Sequence, residues 1–324
     1  MPAARLIEVD DAGLAGSLAA MPCVLVIGNF DGVHRGHQAV LREAVAQAAE
    51  RRLAPCVLTF DPHPGAVVGL GAPPLLTTLE RRAELVGDLG VKRVYVRRFD
   101  AAFAAWQPDQ FARDLVSQAL EARVVVVGEN FRFGARRTGD LSLLRDLGDN
   151  LGFGVRVSAV ARDARGPYSS TRAREAVRAG DLIEVRNVLG RPHALTGVVV
   201  HGDQRGRTIG VPTANLSELA ELLPPNGVYA VLAERHDPAR GAFVRVAQGL
   251  TNIGVRPTVG GGRLSVETYL LDFAGDLYDA RLRVHVVASL REEKKFGSLD
   301  ELKAQIARDV AAARVALGGA ATLA

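Results

Sequence analysis

The ten residues Gly28-Asn29-Phe30-Asp31-Gly32-Val33-His34-Arg35-Gly36-His37 gather two imidazoles, a carboxylate and three glycines on one loop. They follow the apolar run Cys23–Ile27 and lead into the Ala-, Glu- and Leu-rich pattern Gln38–Arg51, which predicts strand, loop and helix in that order. The glycines let backbone approach a ligand closely. A helix starting here aims unpaired N–H groups and a positive dipole end at the loop, which suits phosphate. His34 and His37, three apart at that terminus, can donate to charge developing on a transferring phosphoryl group. A glycine-rich turn carrying two surface histidines is the plainer alternative. Zinc is disfavoured, because no third or fourth ligand follows at metal spacing.

A second cluster, Tyr168-Ser169-Ser170-Thr171-Arg172-Ala173-Arg174, follows the run Val155–Val160 and also opens a helical pattern. Its consecutive Ser, Ser and Thr hydroxyls and its arginines are phosphate donors. Alone it reads as a helix N-cap. With the histidine loop it reads as the other jaw of a triphosphate clamp. Two further strings, Thr59-Phe60-Asp61-Pro62-His63-Pro64 and Gly128-Glu129-Asn130-Phe131-Arg132-Phe133-Gly134, also close apolar runs. Phe60, Phe131 and Phe133 serve either as faces for a flat aromatic ligand or as core, and Asn130 supplies donor and acceptor.

The second half carries a different set. Gly197 to Leu216 reads GVVVHGDQRGRTIGVPTANL, a strand running into a Gly- and Arg-rich loop that can wrap phosphates with backbone N–H groups. Thr213 and Asn215 lie two apart, so in extended chain their oxygens face one side and can hold Mg²⁺ together with substrate phosphates. A solvent-exposed turn is the competing reading of that pair. In Ser265-Val266-Glu267-Thr268-Tyr269-Leu270-Leu271, Glu267 is a carboxylate in a mostly apolar strand, either edge-exposed or functional. As a general base it would take a proton from a hydroxyl attacking a phosphate.

The elements that must hold these residues divide the chain. Up to about Arg186, apolar runs (Cys23–Ile27, Val57–Phe60, Val94–Val96, Val124–Val127, Val155–Val160) alternate with helical patterns, among them Leu79–Leu89 and Leu141–Leu151. That rhythm predicts an α/β domain with a parallel sheet, whose ligands lie beyond the carboxyl ends of the strands. Beyond it, Leu195–Val200, Val228–Ala233, Phe243–Gln248, Val266–Leu271 and Leu282–Ala288 predict strands without intervening helices, and Leu299–Leu317 a helix. An antiparallel β-barrel with one terminal helix outside is the expectation.

Composition narrows the chemistry. The chain has 324 residues, 48% of them hydrophobic and 23% charged, which suits two folded domains rather than disorder. Lys92, Lys294, Lys295 and Lys303 are its only lysines, so no Walker-type loop can lie between them. Phosphate chemistry in that interval must use backbone, arginine or metal. The net charge of +4 comes without any basic block, so a nucleic-acid partner is not expected. Cys23 and Cys56 each open an apolar run and read as small buried residues in a reducing compartment. Met1–Asp11 lacks the apolar stretch of a secretory signal, and no run approaches the ~18 residues of a membrane span, so a cytoplasmic protein is expected.

The His34-x-Gly36-His37 loop with Ser169-Ser170-Thr171 resembles the H-x-G-H and S-S-T-x-x-R pair of the nucleotidyltransferase superfamily. With the Thr59–Pro64 and Gly128–Gly134 strings, the first half resembles the adenylyltransferase module of the prokaryotic bifunctional riboflavin kinase/FAD synthetase family. The Pro212-Thr213-Ala214-Asn215 and Glu267 strings, with Asn226-Gly227-Val228-Tyr229, Thr251-Asn252-Ile253-Gly254 and Leu290-Arg291-Glu292-Glu293, resemble its riboflavin kinase module. The likeness runs from about Val24 to Asp309. It implies a Rossmann-like nucleotidyltransferase domain over 1–186 and a kinase barrel over 187–324. It also implies two reactions: riboflavin to FMN, and FMN to FAD with release of pyrophosphate, each using ATP and Mg²⁺.

By match of motif, the resemblance puts Gly28, Phe30, Asp31, Gly32, His34, His37, Ser170, Thr171 and Arg174 on the first ATP, and Phe60, Asn130 and Phe133 on the flavin side. Gly206, Arg207, Gly210, Thr213 and Asn215 fall to the second ATP, Thr213 and Asn215 also to the metal, and Glu267 to the base. His34 and His37 count as catalytic too. Tyr168, Ala173, Val211 and Asp279 depart from the family's pattern, the last where glycine is frequent in a turn. No nucleophilic Cys or Ser-His-Asp set is visible, which predicts direct in-line transfer. The implied partners are small molecules, with no membrane and with self-association left open. A flavin-binding sensor and a synthetase-like RNA binder are the rivals. Intact His34, His37 and Glu267 argue against the first, and the missing K-M-S-K-S-like lysine against the second.

Overall fold

A run such as Cys23-Val24-Leu25-Val26-Ile27 leaves no polar face for water, so the strand it forms needs cover on both sides. The structure is a computed structural model. It describes residues 4–9, 21–69, 71–202, 210–258 and 261–318, with backbone alone for those among 256–263. Gly206 and Arg207 lie outside the described residues, as do Asp10 and Asp11 of the N-terminal reading. Two compact units emerge, one of Met1–Pro73 with Leu79–Ser170, the other of Pro74–Thr78 with Thr171–Ala324.

The first unit is built on strands β1 (Arg5–Val9), β2 (Cys23–Ile27), β3 (Ala54–Asp61), β4 (Arg93–Arg98), β5 (Ala122–Gly128) and β6 (Gly154–Ser158). They form one sheet in the order β1-β4-β3-β2-β5-β6, with every pairing parallel. Helices α1 (Arg35–Arg51), α2 (Pro64–Val67) and α3 (Leu79–Asp88) follow β2 and β3. After β4 come α4 (Ala101–Ala104), α5 (Pro108–Gln110) and the π-helical segment Phe111–Ala119, and after β5 comes α6 (Leu141–Leu151). Alternate residues of each strand feed opposite cores. Leu25, Leu58 and Val125 meet Leu115 and Leu144 on one face. Val24, Val26, Val57 and Val126 meet Leu41, Ala44 and Val86 on the other. Cys23 and Cys56 are buried and free, as expected. Absent from the sequence expectation is β1, an edge strand of five residues, three of them exposed, which gives too short a pattern.

Because the chain leaves β2 first toward β3 and later returns to β5 on its other side, β2 marks a topological switch point. The loops after β2, β3 and β5 therefore share one edge of the sheet. A two-stranded ribbon, β7 (Arg162–Asp163) and β8 (Gly166–Pro167), precedes the unit's last residues.

The second unit opens with α7 (Ser170–Ala179) and α8 (Leu182–Leu189). The expected junction at 186/187 falls within α8, a helix that groups with the barrel. Strands β9 (His193–Val200), β10 (Thr213–Ser217), β11 (Gly227–Asp237), β12 (Ala242–Thr258), β13 (Gly261–Leu270) and β14 (Arg281–Glu292) close into a barrel in the order β10-β13-β12-β11-β14-β9. All pairings are antiparallel, and closure removes the sheet edges. Leu195, Val231, Ile253, Val266 and Val284 fill the interior. On the outside, Ala230, Leu232 and Leu250 pack under Ala313 and Leu317 of α9 (Leu299–Gly318). Strand β12 runs well past the expected Gln248, taking in Thr251–Gly254. The glycines there mark close approach rather than turns: a Cβ at Gly249 would lie 2.5 Å from the Tyr269 carbonyl.

Candidate active sites

The loop after β2 is fixed by its own side chains. His34 is the N-cap of α1, and its Nδ1 accepts the His37 backbone N–H at 3.3 Å. That acceptor role puts the proton of a neutral His34 on Nε2. The two imidazoles stack, with centroids 3.6 Å apart, and the Phe30 ring meets His37 edge-on at 5.1 Å. Gly36 has to be small, since a Cβ would lie 2.9 Å from the His34 ring and 3.0 Å from the Tyr168 carbonyl. Phe30 takes φ 50° and Gly32 φ 82°, so the chain passes through left-handed conformations before the helix begins. Phe30 is buried among core residues beneath α1 and supports His37 from behind.

Asp31 is buried, and its Oδ1 lies 3.7 Å from Nη2 of Arg82 on α3. Arg82 Nη1 also reaches Thr59 Oγ1 at 3.4 Å, and Thr59 in turn donates to the Asn29 carbonyl at 3.1 Å. Sequence reasoning passed over Arg82; the only signal was an arginine on the apolar face of a helical pattern. Ser170 Oγ donates to the Asp31 carbonyl at 2.8 Å, which ties the second motif to the loop. Thr171 is exposed in the first turn of α7, and Arg174 is buried with Nε donating to the Pro74 carbonyl at 2.8 Å.

A cavity of about 470 Å³ lies against this loop. Gly28 and Asn29 form part of its wall, as do the expected Phe60, Asn130 and Phe133. Phe99, Phe103, Trp106 and Phe111, which the sequence reading did not single out, line it too. Their rings form a chain of contacts: Phe60 to Phe99 at 5.7 Å, Phe99 to Phe103 at 5.5 Å, Phe103 to Trp106 at 5.1 Å, and Phe111 to Phe133 at 5.5 Å. Edge-on and tilted pairs of this kind leave ring faces for a flat ligand. The loop after β5 is locked by reciprocal backbone bonds between Phe133 and Gly139. At its rim Arg132 pairs with Asp140, 3.2 Å away. The Leu143 backbone N–H, and then Arg132, hold the Asp140 carboxyl below the usual carboxylate range. Asn29 meets His63 Nε2 at 3.0 Å, and His63 Nδ1 accepts the Gly65 N–H, so the loops after β2 and β3 brace each other.

In the second unit, Asn215 of β10, Glu267 of β13 and Asn252 of β12 stand side by side in register. Glu267 is half-buried in a strand paired on both sides, so it is not an edge residue. Its two oxygens are engaged by hydroxyls: Thr213 Oγ1 to Oε2 at 3.4 Å and Ser265 Oγ to Oε1 at 3.0 Å. Thr213 lines two cavities. One, of about 110 Å³, is bounded by Gly202, Asn215, Thr268, Asp276 and Tyr278. The other, of about 340 Å³, is bounded by Glu267, Asn252, Tyr269, Arg291 and Phe296, with Ile306 and Asp309 of α9. Gly202 lies so close to Asn215 that a Cβ would sit on its amide. Gly210 adopts φ 79° just before β10. Asp279 adopts a left-handed φ of 60°, a conformation that aspartate enters more readily than most residues. The oxygens of Thr213 and Asn215 are hard neutral donors. Among the described residues no three His, Cys, Asp or Glu side chains gather as a metal site. Such donors fit a hard cation that takes its remaining ligands from phosphate and water.

Comparison with known proteins agrees with this division. Residues 17–172 match the family model for FAD synthetase and residues 189–317 that for riboflavin kinase. The bifunctional riboflavin kinase/FMN adenylyltransferase of Escherichia coli (strain K12) is 42% identical over 91% of this chain and 93% of its own length. Its counterpart in Bacillus subtilis (strain 168) is 37% identical over 88% of this chain and 90% of its own. A crystal structure described as a macrolide-efflux protein from Streptococcus pneumoniae superposes with a TM-score of 0.82 at 29% identity, covering 95% of this chain and 98% of that one. In the present chain no described helix is long and apolar enough to cross a membrane.

Proposed function

The chain belongs to the family of bifunctional riboflavin kinase/FMN adenylyltransferases, and on that premise we propose how its residues divide the two reactions. It phosphorylates riboflavin to FMN and adenylylates FMN to FAD, with ATP as co-substrate in both. The adenylyltransferase module takes in the first matched region and the kinase module the second.

In the first module the flavin ring enters the aromatic cavity between Phe60 and Phe133, with Asn130 on its polar edge. ATP lies over the N-terminus of α1, against Gly28, Asp31, Gly32 and the His34–His37 pair. Ser170 joins the ATP set by its match to the motif and its bond to the Asp31 carbonyl. An oxygen of the FMN phosphate attacks the α-phosphorus, the bond to the β-phosphate bridging oxygen breaks, and pyrophosphate leaves. The attacking oxygen carries no proton at neutral pH, so the site needs no strong base. It needs donors for the growing charge, which the imidazole N–H groups and the helix N-terminus supply.

In the second module riboflavin occupies the larger cavity beside Glu267, and ATP the smaller one beside Asn215; Gly206, Arg207 and Gly210 are assigned to its phosphates by match of motif alone. Glu267 takes the proton of the ribityl hydroxyl as that oxygen attacks the γ-phosphorus and ADP leaves. Thr213 stands between the cavities and holds Glu267 Oε2 toward the transfer path. Mg²⁺, held by Thr213 and Asn215 oxygens, would supply charge neutralisation on the phosphates. Because both reactions consume ATP, the enzyme is assigned to the cytoplasm, with small molecules as its partners.

The observation that carries this assignment is the hydroxyl-flanked Glu267 carboxylate at the wall shared through Thr213 by two cavities. Chromatography of products from riboflavin, ATP and Mg²⁺ tests it. Thr213→Val and Asn215→Ala should each raise the Mg²⁺ concentration needed for FMN formation. An unchanged Mg²⁺ dependence in both would remove the metal from these residues.

A further inference from the structure

Arg97, in β4, is 3% exposed. A guanidinium stays charged at any working pH, so burying one is costly unless nearby groups replace its water. Here Nη1 donates to the Val9 carbonyl of β1 at 3.0 Å, and the flat group lies 4.7 Å from the Phe103 ring centre and 5.5 Å from that of Trp106. Both rings line the 470 Å³ cavity, whereas Arg97 does not. The cation therefore sits behind two members of the aromatic wall. Cation–π attraction is directional, and it strengthens in a desolvated setting. It favours ring orientations that turn a face toward the guanidinium. Phe103 also touches Phe60, Phe99, Trp106 and Phe111, so its tilt is passed along the wall.

We propose that Arg97 is a positioning residue for the flavin: it holds Phe103 and Trp106 at the tilt that a flat isoalloxazine ring requires. The β1 strand has a part in this, because the Val9 carbonyl fixes the guanidinium from its far side. This rests on the reading of the cavity as the flavin site. An ordinary structural role, tying β1 to β4, would change stability and leave flavin affinity alone.

The chain has one tryptophan, Trp106, so its fluorescence reports on this wall alone. Titration of the full-length protein with FMN, read by quenching of that emission, is compared with steady-state kinetics of both reactions. Arg97→Met keeps much of the length and removes the charge and the fork. It should shift the emission maximum of the free protein and raise both the FMN Kd and the KM for FMN about tenfold, with kcat changed less than about twofold. Arg97→Lys, which keeps a cation without the planar group, should fall between the two. Riboflavin phosphorylation by the same preparations should be unchanged and certifies the rest of the chain. Should Arg97→Met give no folded first unit, Arg97→Lys carries the measurement. A lower melting temperature with FMN Kd and KM unaltered would overturn the proposal. Phe133→Ala separates the two levels of inference. If it too leaves FMN binding unaltered, the cavity is not the flavin site. If it weakens FMN while Arg97→Met does not, only the role of Arg97 falls.

Discussion

The two sites handle the same co-substrate with opposite construction. In the first unit, most residues assigned to chemistry lie on loops beyond the ends of β2, β3 and β5, and the strands serve only to bring those loops to one edge. In the barrel, Thr213, Asn215, Asn252 and Glu267 project from the strands themselves, and register alone makes them neighbours. A loop site can wrap a large flat ligand and a triphosphate with backbone groups, but it needs internal braces such as Asp31–Arg82 and Asn29–His63. A strand site is rigid from the outset and suits a proton transfer that demands one oxygen at one place.

That contrast sets the expected size of each perturbation. Glu267→Ala removes the proposed base, so FMN formation should fall by about 10²–10⁴-fold while adenylylation of supplied FMN continues. Loss of both activities would show that the modules do not work independently. His37→Ala removes one donor among several, and FAD formation from FMN should fall on the order of 10²-fold with the kinase intact. Normal FAD output would take His37 out of the site. Gly36→Ala tests the bracing: the added carbon must displace His34 or the Tyr168 carbonyl, so the KM for ATP in adenylylation should rise several-fold while kinase kinetics hold. An unchanged KM would mean that His34 has room to give.

The smallest effect concerns a carboxyl that neither reaction uses. Burial, opposed mainly by local hydrogen bonds and Thr196, holds Glu221 above its ordinary carboxylate range. Below the usual value of 4.5 it is protonated whether folded or not, and the fold bears no cost. As pH rises through the raised value the folded state must ionise it in a poor setting, and stability is lost. Glu221→Gln should therefore melt a few degrees higher at pH 7 and close to the parent at pH 4. A gain equal at both pH values would assign it to packing instead.

Much of this was legible before any coordinates. Strands β2 and β5 are apolar on both faces, so their pattern is unambiguous, and helix Leu141–Leu151 starts at a capping aspartate, Asp140, and stops before Gly152. The glycines and the histidine pair of the loop after β2 are local features, legible as such. Less was visible where long-range neighbours decide. Phe99, Phe103, Trp106 and Phe111 look like core residues in the sequence, and only folding turns one side of them toward a cavity. Arg82 and Arg97 look like surface arginines until Asp31 in the one case, and the Val9 carbonyl and two aromatic rings in the other, arrive from elsewhere in the chain.

Sequence alone determined the two-part architecture and the family, because strand pattern, capping and motif spacing are properties of short stretches. The absence of lysine between Lys92 and Lys294 likewise excluded a Walker loop from the kinase half. Tertiary structure decided that Glu267 is held by two hydroxyls beside two cavities, and that the aromatic wall of the first unit's cavity has a cation at its back. Those facts depend on register and on residues far apart in sequence, and a buried charge is placed by what surrounds it in space.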